Sequence, residues 1–318
     1  MEKIFINNIL ICPKCGNNLE KINTNKIFLK CSNTNCIANI HFYNSFNNKP
    51  ILIDETESII EIKQIILSDS SNLVKRPQYF KFRKLLQNII HGSSVQTKIN
   101  LNYISSIISD TNDTKILIIG GGTIGAGLEE FYKKYSTNII SFDVYYSNNI
   151  DFIADAHSIP TKSNTFDLVI IQAVLEHVLM PTKVVAEIQR VLKFGGLVYA
   201  ETPFLQNVHE GAYDFTRYTV LGHDSLFCNY IKLGSGYIGG VGTSFLWSLE
   251  FLFASIFRNR FVGKIVRFSF FYLRFIDKIT TTKWNIDSAC GCYFIGKKTN
   301  DKPYAHQSYI IEEYKGAQ

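Results

Sequence analysis

Residues 115–127 read Lys-Ile-Leu-Ile-Ile-Gly-Gly-Gly-Thr-Ile-Gly-Ala-Gly, and this stretch decides the fold. Four branched aliphatics in a row, Ile116 to Ile119, without polar alternation suit a strand covered on both faces, as in a parallel sheet. The glycines that follow remove side chains where the chain turns into a helix, so backbone N–H groups can approach a ligand closely. Such a turn serves dinucleotides as readily as other adenosine ligands, and on its own it leaves the cofactor open.

Working outward from this turn, further strands are expected near 138–142, 150–154, 167–171 and 196–201, with Ala289–Gly296 as the final strand. Pro181 opens a helix whose apolar positions are Val184, Val185, Ile188, Val191 and Leu192, with a stop expected at Gly195-Gly196. This alternation of strand and helix is the rhythm of a doubly wound sheet, which binds ligands at the carboxyl edge of its strands. Asp143 follows the second strand, where a carboxylate can accept the ribose hydroxyl protons of an adenosine, although Asp in such a loop also serves as a plain helix cap. Asp155-Ala156 ends the third strand ahead of His157-Ser-Ile-Pro160, in a position to meet an adenine.

Taken together, ILIIGGGTIGAG, SFDVY, IADAHSIP, FDLVIIQAVLEHV and EIQRVLKFGGLVYAETPF, spread over about 115–226, resemble the class I, Rossmann-like S-adenosylmethionine-dependent methyltransferases of the type 11 group. The resemblance implies an α/β fold with a doubly wound, seven-stranded, mostly parallel sheet whose last strand is antiparallel. It implies S-adenosylmethionine held by Gly120, Gly122 and Gly125, the ribose by Asp143, the adenine near Asp155 and Ala156, and the methionine end near Gln172. Ile118 stands where the family often carries an acidic residue, so one contact to the methionine amino group is missing from the pattern.

After the fifth strand comes a segment dense in titratable and aromatic groups, Glu201 to Tyr218. Methyl transfer to a hydroxyl benefits from a base within hydrogen-bond reach, and His209 is the first candidate, with Glu210 beside it. Tyr213, Asp214, Arg217, Tyr218 and His177 are candidates for meeting the substrate, with Arg217 suited to a phosphate or carboxylate. The alternative is that Asp214 and Arg217 form a structural ion pair. The HEGAYDFTRYT segment resembles one in methyltransferases of bacterial surface polysaccharide and envelope assembly, which implies O-methylation of a sugar or another small-molecule or glycan acceptor. An RNA base methyltransferase is a second reading, but Gln172-Ala-Val-Leu-Glu176 stands where those enzymes place an Asn/Asp-Pro-Pro-aromatic motif, and nucleic acid is not the expected partner. A catalytically silent scaffold on the same fold is the third.

Cys12-Pro-Lys-Cys15 and Cys31-x4-Cys36 form two close pairs of the kind that converge on tetrahedral Zn²⁺, with Gly16 suited to the knuckle turn. Four thiolates leave no open position, so the expected metal is structural. His41 is an alternative fourth ligand; Cys228, Cys290 and Cys292 are not spaced as ligands. The module resembles the ribbon of small partner proteins that stabilise methyltransferases. The expected division is a zinc ribbon over 1–54, helical packing or linker segments over 55–113, and the methyltransferase domain over 114–318, with a helical apolar and basic insertion at about 240–284. Helical spacing shows in Ile59, Ile60, Ile62, Ile65 and Ile66 and again from Phe80 to Ile90.

The chain has 318 residues, 46% hydrophobic, with a formal net charge of +6, which fits an anionic substrate, a membrane surface or nucleic acid equally. The N-terminus lacks the pattern of a signal peptide, and the expected location is cytoplasmic. Residues 245–257 are very apolar but too short for a membrane span. In 258–283, Lys264, Arg267, Arg274 and Lys278 share one helical face and Phe261, Ile265, Phe268, Tyr272 and Ile276 another. Either this helix rests on an anionic membrane at the inner face, or it is a lid packing its aromatics on the sheet.

Overall fold

The structure is a computed structural model describing residues 6–23, 27–36, 45–46, 49–67, 95–109, 111, 113–299 and 308–318. A small antiparallel hairpin of β1 (Leu19–Asn23) and β2 (Ile27–Cys31) follows the one-turn helix α1 (Ile6–Ile9). The remaining strands are β3 (Ser45–Phe46), β4 (Lys49–Leu52), β5 (Ile116–Ile119), β6 (Ile139–Asp143), β7 (Phe152–Ala154), β8 (Phe166–Gln172), β9 (Leu192–Pro203), β10 (Tyr230–Ile238) and β11 (Gly291–Lys298). They form one nine-stranded sheet in the order β10-β11-β9-β8-β5-β6-β7-β4-β3. Its centre is parallel, and β11 runs antiparallel to both β9 and β10. The strand order reverses at β5, between β6 and β8, so a crevice opens at the carboxyl ends there.

The uninterrupted apolar run of β5 has a simple cause. Leu117 and Ile119 pack into the core on one face of the sheet, while Ile116 and Ile118 pack into the core on the other. Each such side chain contributes about 1.5–3 kcal/mol by burial. The helices are α2 (Ile62–Leu67), α3 (Val95–Ile107), α4 (Glu129–Lys134), α5 (Pro181–Val191), α6 (Val220–Leu226), α7 (Val241–Ile256), α8 (Arg260–Ser269), α9 (Thr282–Asp287) and α10 (Tyr309–Glu312).

Several expectations are corrected. Helix α5 ends at Val191 and β9 starts at Leu192, so Gly195 and Gly196 lie inside the strand rather than capping the helix. Gly195 takes φ +76°, and the β8–β9 register shifts between Phe166 and Leu168, a bulge that absorbs the extra residues. The sheet already begins within the first 54 residues, because β4 extends the parallel edge through Ile51 opposite Ile153 and Leu52 opposite Ala154. Helix α2 begins only at Ile62, Ile59 and Ile60 lying in the bend before it. Strand β10 has no counterpart in the sequence reading. The polar end of the chain is docked, with Lys232 paired to Glu313 at 2.6 Å and Asp287 accepting from Tyr314 and the Ala317 N–H. The expected helix of Phe80 to Ile90 and the alternative ligand His41 lie outside the described residues.

The segment 258–283 is not one helix. After α8 the chain forms a 3-10 stretch, Phe271–Lys278, and then α9. Asp277, its one acidic residue, folds back to accept the Gly240, Gly242 and Thr243 N–H groups at the start of α7, where an anion also meets the positive end of the helix dipole. Arg267 does not share an exposed basic face: it is buried, bonded to Glu250 at 2.9 Å and stacked 5.2 Å over the Trp247 ring.

His223 on α6 is fully buried with its Nε2 3.0 Å from the Thr202 hydroxyl, and burial pushes its pKa from 6.5 down to about 3. A folded-state pKa below the unfolded one means stability present above pH 6.5 and lost as pH falls from there toward 3, at roughly 1.4 kcal/mol per pH unit. Urea unfolding at pH 7.5 and 5.5 should show a smaller loss in His223→Leu than in wild type.

Candidate active site and cysteine cluster

A cavity of about 590 Å³ lies at the β5 switch and is lined from three sides. The glycine turn supplies Gly120 and Gly125; the β6 and β7 ends supply Asp143, Asp155 and Ala156; the β8 and β9 ends supply Gln172, Ala173 and Glu201. Gly120 has φ +76°, which only glycine adopts without strain, and a side chain there would strike Val174. Gly122 does not line the cavity; its N–H donates to Asp143 Oδ2 at 2.9 Å, and the Val144 N–H donates to Oδ1 at 2.7 Å, so Asp143 fixes the glycine turn to the end of β6. A Cβ on Gly125 would fall on the Gln172 amide.

Asp155 is held by neighbours. Burial pushes its pKa up, but the His157 ring at 2.6 Å, the His157 N–H and the Ser58 hydroxyl at 2.5 Å outweigh this and keep it below the usual carboxylate range. His157 Nε2 in turn accepts from the Met180 N–H. The Ser58 bond draws residues 58–60 over the cavity, where Ile59 and Ile60 form part of its wall.

Glu201, which opens the polar segment after the fifth strand, is a wall residue at the centre of a buried network. Its carboxyl accepts from Thr97 on α3 at 2.6 Å, from Tyr199 and from Gln172 Nε2 at 2.6 Å, while burial raises its pKa. Gln172 Oε1 is buried without a hydrogen-bond partner, as is the Tyr132 hydroxyl, and both residues line the cavity. Orphaned polar atoms beside a glycine cradle fit a polar ligand that supplies their missing partners. Ala173 takes φ +54°, strained for a residue with a Cβ, and its N–H is tied to the Glu201 carbonyl at 2.9 Å.

The other end of the cavity is lined by His177, His209, Glu210 and Tyr213. His177 closes a one-turn 3-10 helix, Leu175–His177, after β8, and its Nδ1 lies 2.7 Å from the Tyr213 carbonyl. Burial lowers its pKa. The His177 and His209 rings meet edge to face at 4.9 Å. His209 Nδ1 lies 3.3 Å from Asp214 Oδ2, and burial pushes Glu176, between the two imidazoles, up to about 8. Asp214, Arg217 and Tyr218 do not line the cavity. Arg217 forms a two-pronged pair with Asp214 and also donates to the carbonyls of Gln206, Asn207 and Thr216. The expected grip on a substrate anion is therefore replaced by the structural ion pair, which fastens the loop that carries His209.

The four cysteines come together as their spacing implies. Their sulfurs lie within 4.8 Å of one another, with Cys12–Cys36 at 3.9 Å and Cys15–Cys31 at 3.4 Å. Tetrahedral Zn–S bonds of 2.3 Å place sulfurs about 3.8 Å apart, so the donor set fits zinc. Gly16 adopts φ +71° in the first knuckle. The cluster abuts the stretch after β7: Ile11 N–H donates to the Pro160 carbonyl at 3.0 Å, Lys162 N–H to Ile9 at 2.9 Å, and the Ser158 hydroxyl to Pro13 at 3.0 Å.

Residues 125–200 match a family model described as a methyltransferase domain. No curated protein matches the sequence. Among solved structures, the chain is similar to phosphoethanolamine N-methyltransferase 2 of Haemonchus contortus, bound to S-adenosylhomocysteine, at 14% identity and a TM-score of 0.43, covering 74% of this chain and 62% of that one. It is similar to geranyl diphosphate C-methyltransferase of Streptomyces coelicolor at 10% identity and a TM-score of 0.44, covering 71% of this chain and 87% of that one. The family match covers about a quarter of the chain, from Gly125 at the end of the glycine turn through the strands that carry Asp143 and Gln172, and it supports an enzyme that carries a methyltransferase domain.

Proposed function

We propose that the enzyme methylates an oxygen of a sugar or other glycan acceptor. The observation that carries this reading is the two-ended cavity: a glycine and carboxylate end suited to an adenosine, continuous with an end lined by His177, His209, Glu210 and Tyr213. S-adenosylmethionine supplies a methyl group on a sulfonium, open to in-line displacement. The residues around Gly120, Gly125, Asp143, Asp155, Ala156 and Gln172 would hold it, with Asp143 placed to accept from the ribose and the Gln172 oxygen from the methionine end. His209, its ring oriented by Asp214, receives the proton of the acceptor hydroxyl, with Glu210 beside it and Tyr213 as a wall. Cys12, Cys15, Cys31 and Cys36 would hold a structural zinc, which would fix the fold of the segment bonded to residues 158–162. Transfer of labelled methyl to extracted envelope glycans, lost in His209→Ala with cofactor binding retained, is the expected result; transfer to RNA instead would contradict it.

The acceptor reading extends to lipid-linked glycans because of the helices beside the cavity. Trp247 on α7 lines the cavity, while Phe245, Phe251, Leu252, Ile256 and Phe257 on the same stretch are exposed. Phe261 is 68% exposed and Ile279 82%, and Ile265 and Phe268 are exposed as well, so these aromatics do not pack as a lid on the sheet. Among the described residues no helix is long and apolar enough to cross a membrane. An exposed apolar surface with Arg258, Arg260, Lys264 and Lys278 around it suits the interface of an anionic bilayer. Wild-type protein should sediment with phosphatidylglycerol vesicles, and Phe257→Ser/Phe261→Ser should bind at least about tenfold more weakly, since two buried aromatics each contribute over a kcal/mol.

A further inference from the structure

The cluster at the acceptor end contains a group whose bonding is incomplete. Glu176 is wholly buried, and neither of its carboxylate oxygens accepts a hydrogen bond from another residue. Two imidazoles face it, with Nε2 of His177 at 3.6 Å and Nε2 of His209 at 3.8 Å from the same Oε1. Both separations exceed hydrogen-bond length.

The far side of each ring sets what the near side offers. His177 Nδ1 lies 2.7 Å from the Tyr213 carbonyl, and a carbonyl only accepts, so Nδ1 carries the hydrogen and Nε2 of the neutral ring is a lone pair. Asp214 Oδ2 accepts from the His209 backbone N–H at 2.9 Å and lies 3.3 Å from the ring Nδ1, so the carboxylate favours a hydrogen on Nδ1 and leaves Nε2 turned toward Glu176. Two ring nitrogens and one carboxyl oxygen therefore converge, all within 4.8 Å of one another, and no hydrogen bond joins them. Outward bonds from the second ring nitrogen to a carbonyl and a carboxylate are how metal-binding histidines are oriented. Ligand bonds of about 2.0–2.2 Å would set these atoms roughly 3.0–3.5 Å apart, a small contraction of the distances present. The nearby Arg217 is held in its two-pronged pair with Asp214.

We propose that Glu176, His177 and His209 bind a divalent transition-metal cation as a two-histidine, one-carboxylate site, with its open coordination positions directed into the cavity that His177 and His209 line. Imidazole donors favour Zn²⁺, Fe²⁺ or Ni²⁺ over Mg²⁺ and Ca²⁺. The site is distinct from the cysteine cluster, which has no free position. Its ligand from the substrate side is an oxygen donor, and coordination lowers the pKa of a hydroxyl held there. The base role of His209 then belongs to the metal-free protein. The assignment of this oxygen donor rests on reading the His177 and His209 end as the acceptor end; the metal site itself does not.

The test uses the full chain, purified with the cysteine cluster loaded, dialysed against Co²⁺ and compared with His209→Ala and Glu176→Gln. His209 sits on a surface loop, so its variant keeps the core intact even if Glu176→Gln fails to fold. Wild type is expected to bind one equivalent of Co²⁺ beyond the zinc held by the cysteines, with weak visible absorption from a nitrogen and oxygen site, and His209→Ala is expected to lose that equivalent and keep the zinc. No additional equivalent in wild type, or the same equivalent in a folded His209→Ala, overturns the proposal. Titration of the same samples with S-adenosylmethionine separates the two readings, since wild type that takes the metal without the cofactor keeps this inference and defeats the functional one.

Discussion

Asp143→Ala is expected to weaken S-adenosylmethionine binding by roughly 10- to 150-fold, the cost of about 1.5–3 kcal/mol for losing a hydrogen-bonding carboxylate. Two effects combine. The carboxylate that would accept the ribose hydroxyls is removed, and so is the acceptor for the Gly122 and Val144 N–H groups, which leaves the glycine turn without its anchor to β6. Circular dichroism should remain that of the wild type, because the residue sits at a strand end outside the three apolar cores. Asp143→Asn should fall between the two, since an amide oxygen still accepts from one N–H. Equal affinity in wild type and the alanine variant, by calorimetry, would remove Asp143 from the site.

Cys31→Ser is expected to do more damage than its distance from the cavity suggests. Four thiolates that fit one zinc would couple metal binding to folding of the N-terminal hairpin region, with free energies of about 10–16 kcal/mol in isolated zinc-finger peptides. Here the ribbon also holds the stretch after β7 by three hydrogen bonds, from Ile11 to Pro160, from Lys162 to Ile9 and from Ser158 to Pro13. That stretch begins at Asp155 and Ala156, both in the cavity wall. The substitution should release zinc, raise amide hydrogen exchange over 155–163, and lower affinity for the cofactor while β5 and β8 remain protected. Unchanged exchange over 155–163 in a zinc-free protein would show that the ribbon does not support the site.

How far the sequence can be read depends on whether a residue's surroundings are local. The buried run Ile116 to Ile119, the turn after it and the placement of Asp143 and Gln172 at strand ends follow from periodicity and chain order, which are local properties. The cysteine spacing is likewise self-contained. Glu176 and Glu201 are different, because a buried glutamate is recognisable only when its partners are known. Thr97 comes from 104 positions earlier in the chain, and His209 is delivered by a loop that Asp214 and Arg217 fasten. For Arg217 the sequence offers a substrate grip or an ion pair with Asp214, and the carbonyls of Gln206, Asn207 and Thr216 that it also bonds are not revealed by spacing. For the helices after Val241 the sequence leaves a membrane-facing and a lid arrangement open, because apolar content alone does not show which residues are covered, and many of them face outward. Strand β4 joined the sheet through pairing with β7, a contact between segments about a hundred residues apart.

The crevice at the β5 switch is proposed to bind S-adenosylmethionine rather than a dinucleotide. Calorimetric titration of zinc-loaded protein with S-adenosylmethionine and, separately, with NAD tests it directly. Saturable binding of the first and none of the second is the predicted result. Binding of NAD, or of neither ligand by protein with an intact melting transition, would contradict it.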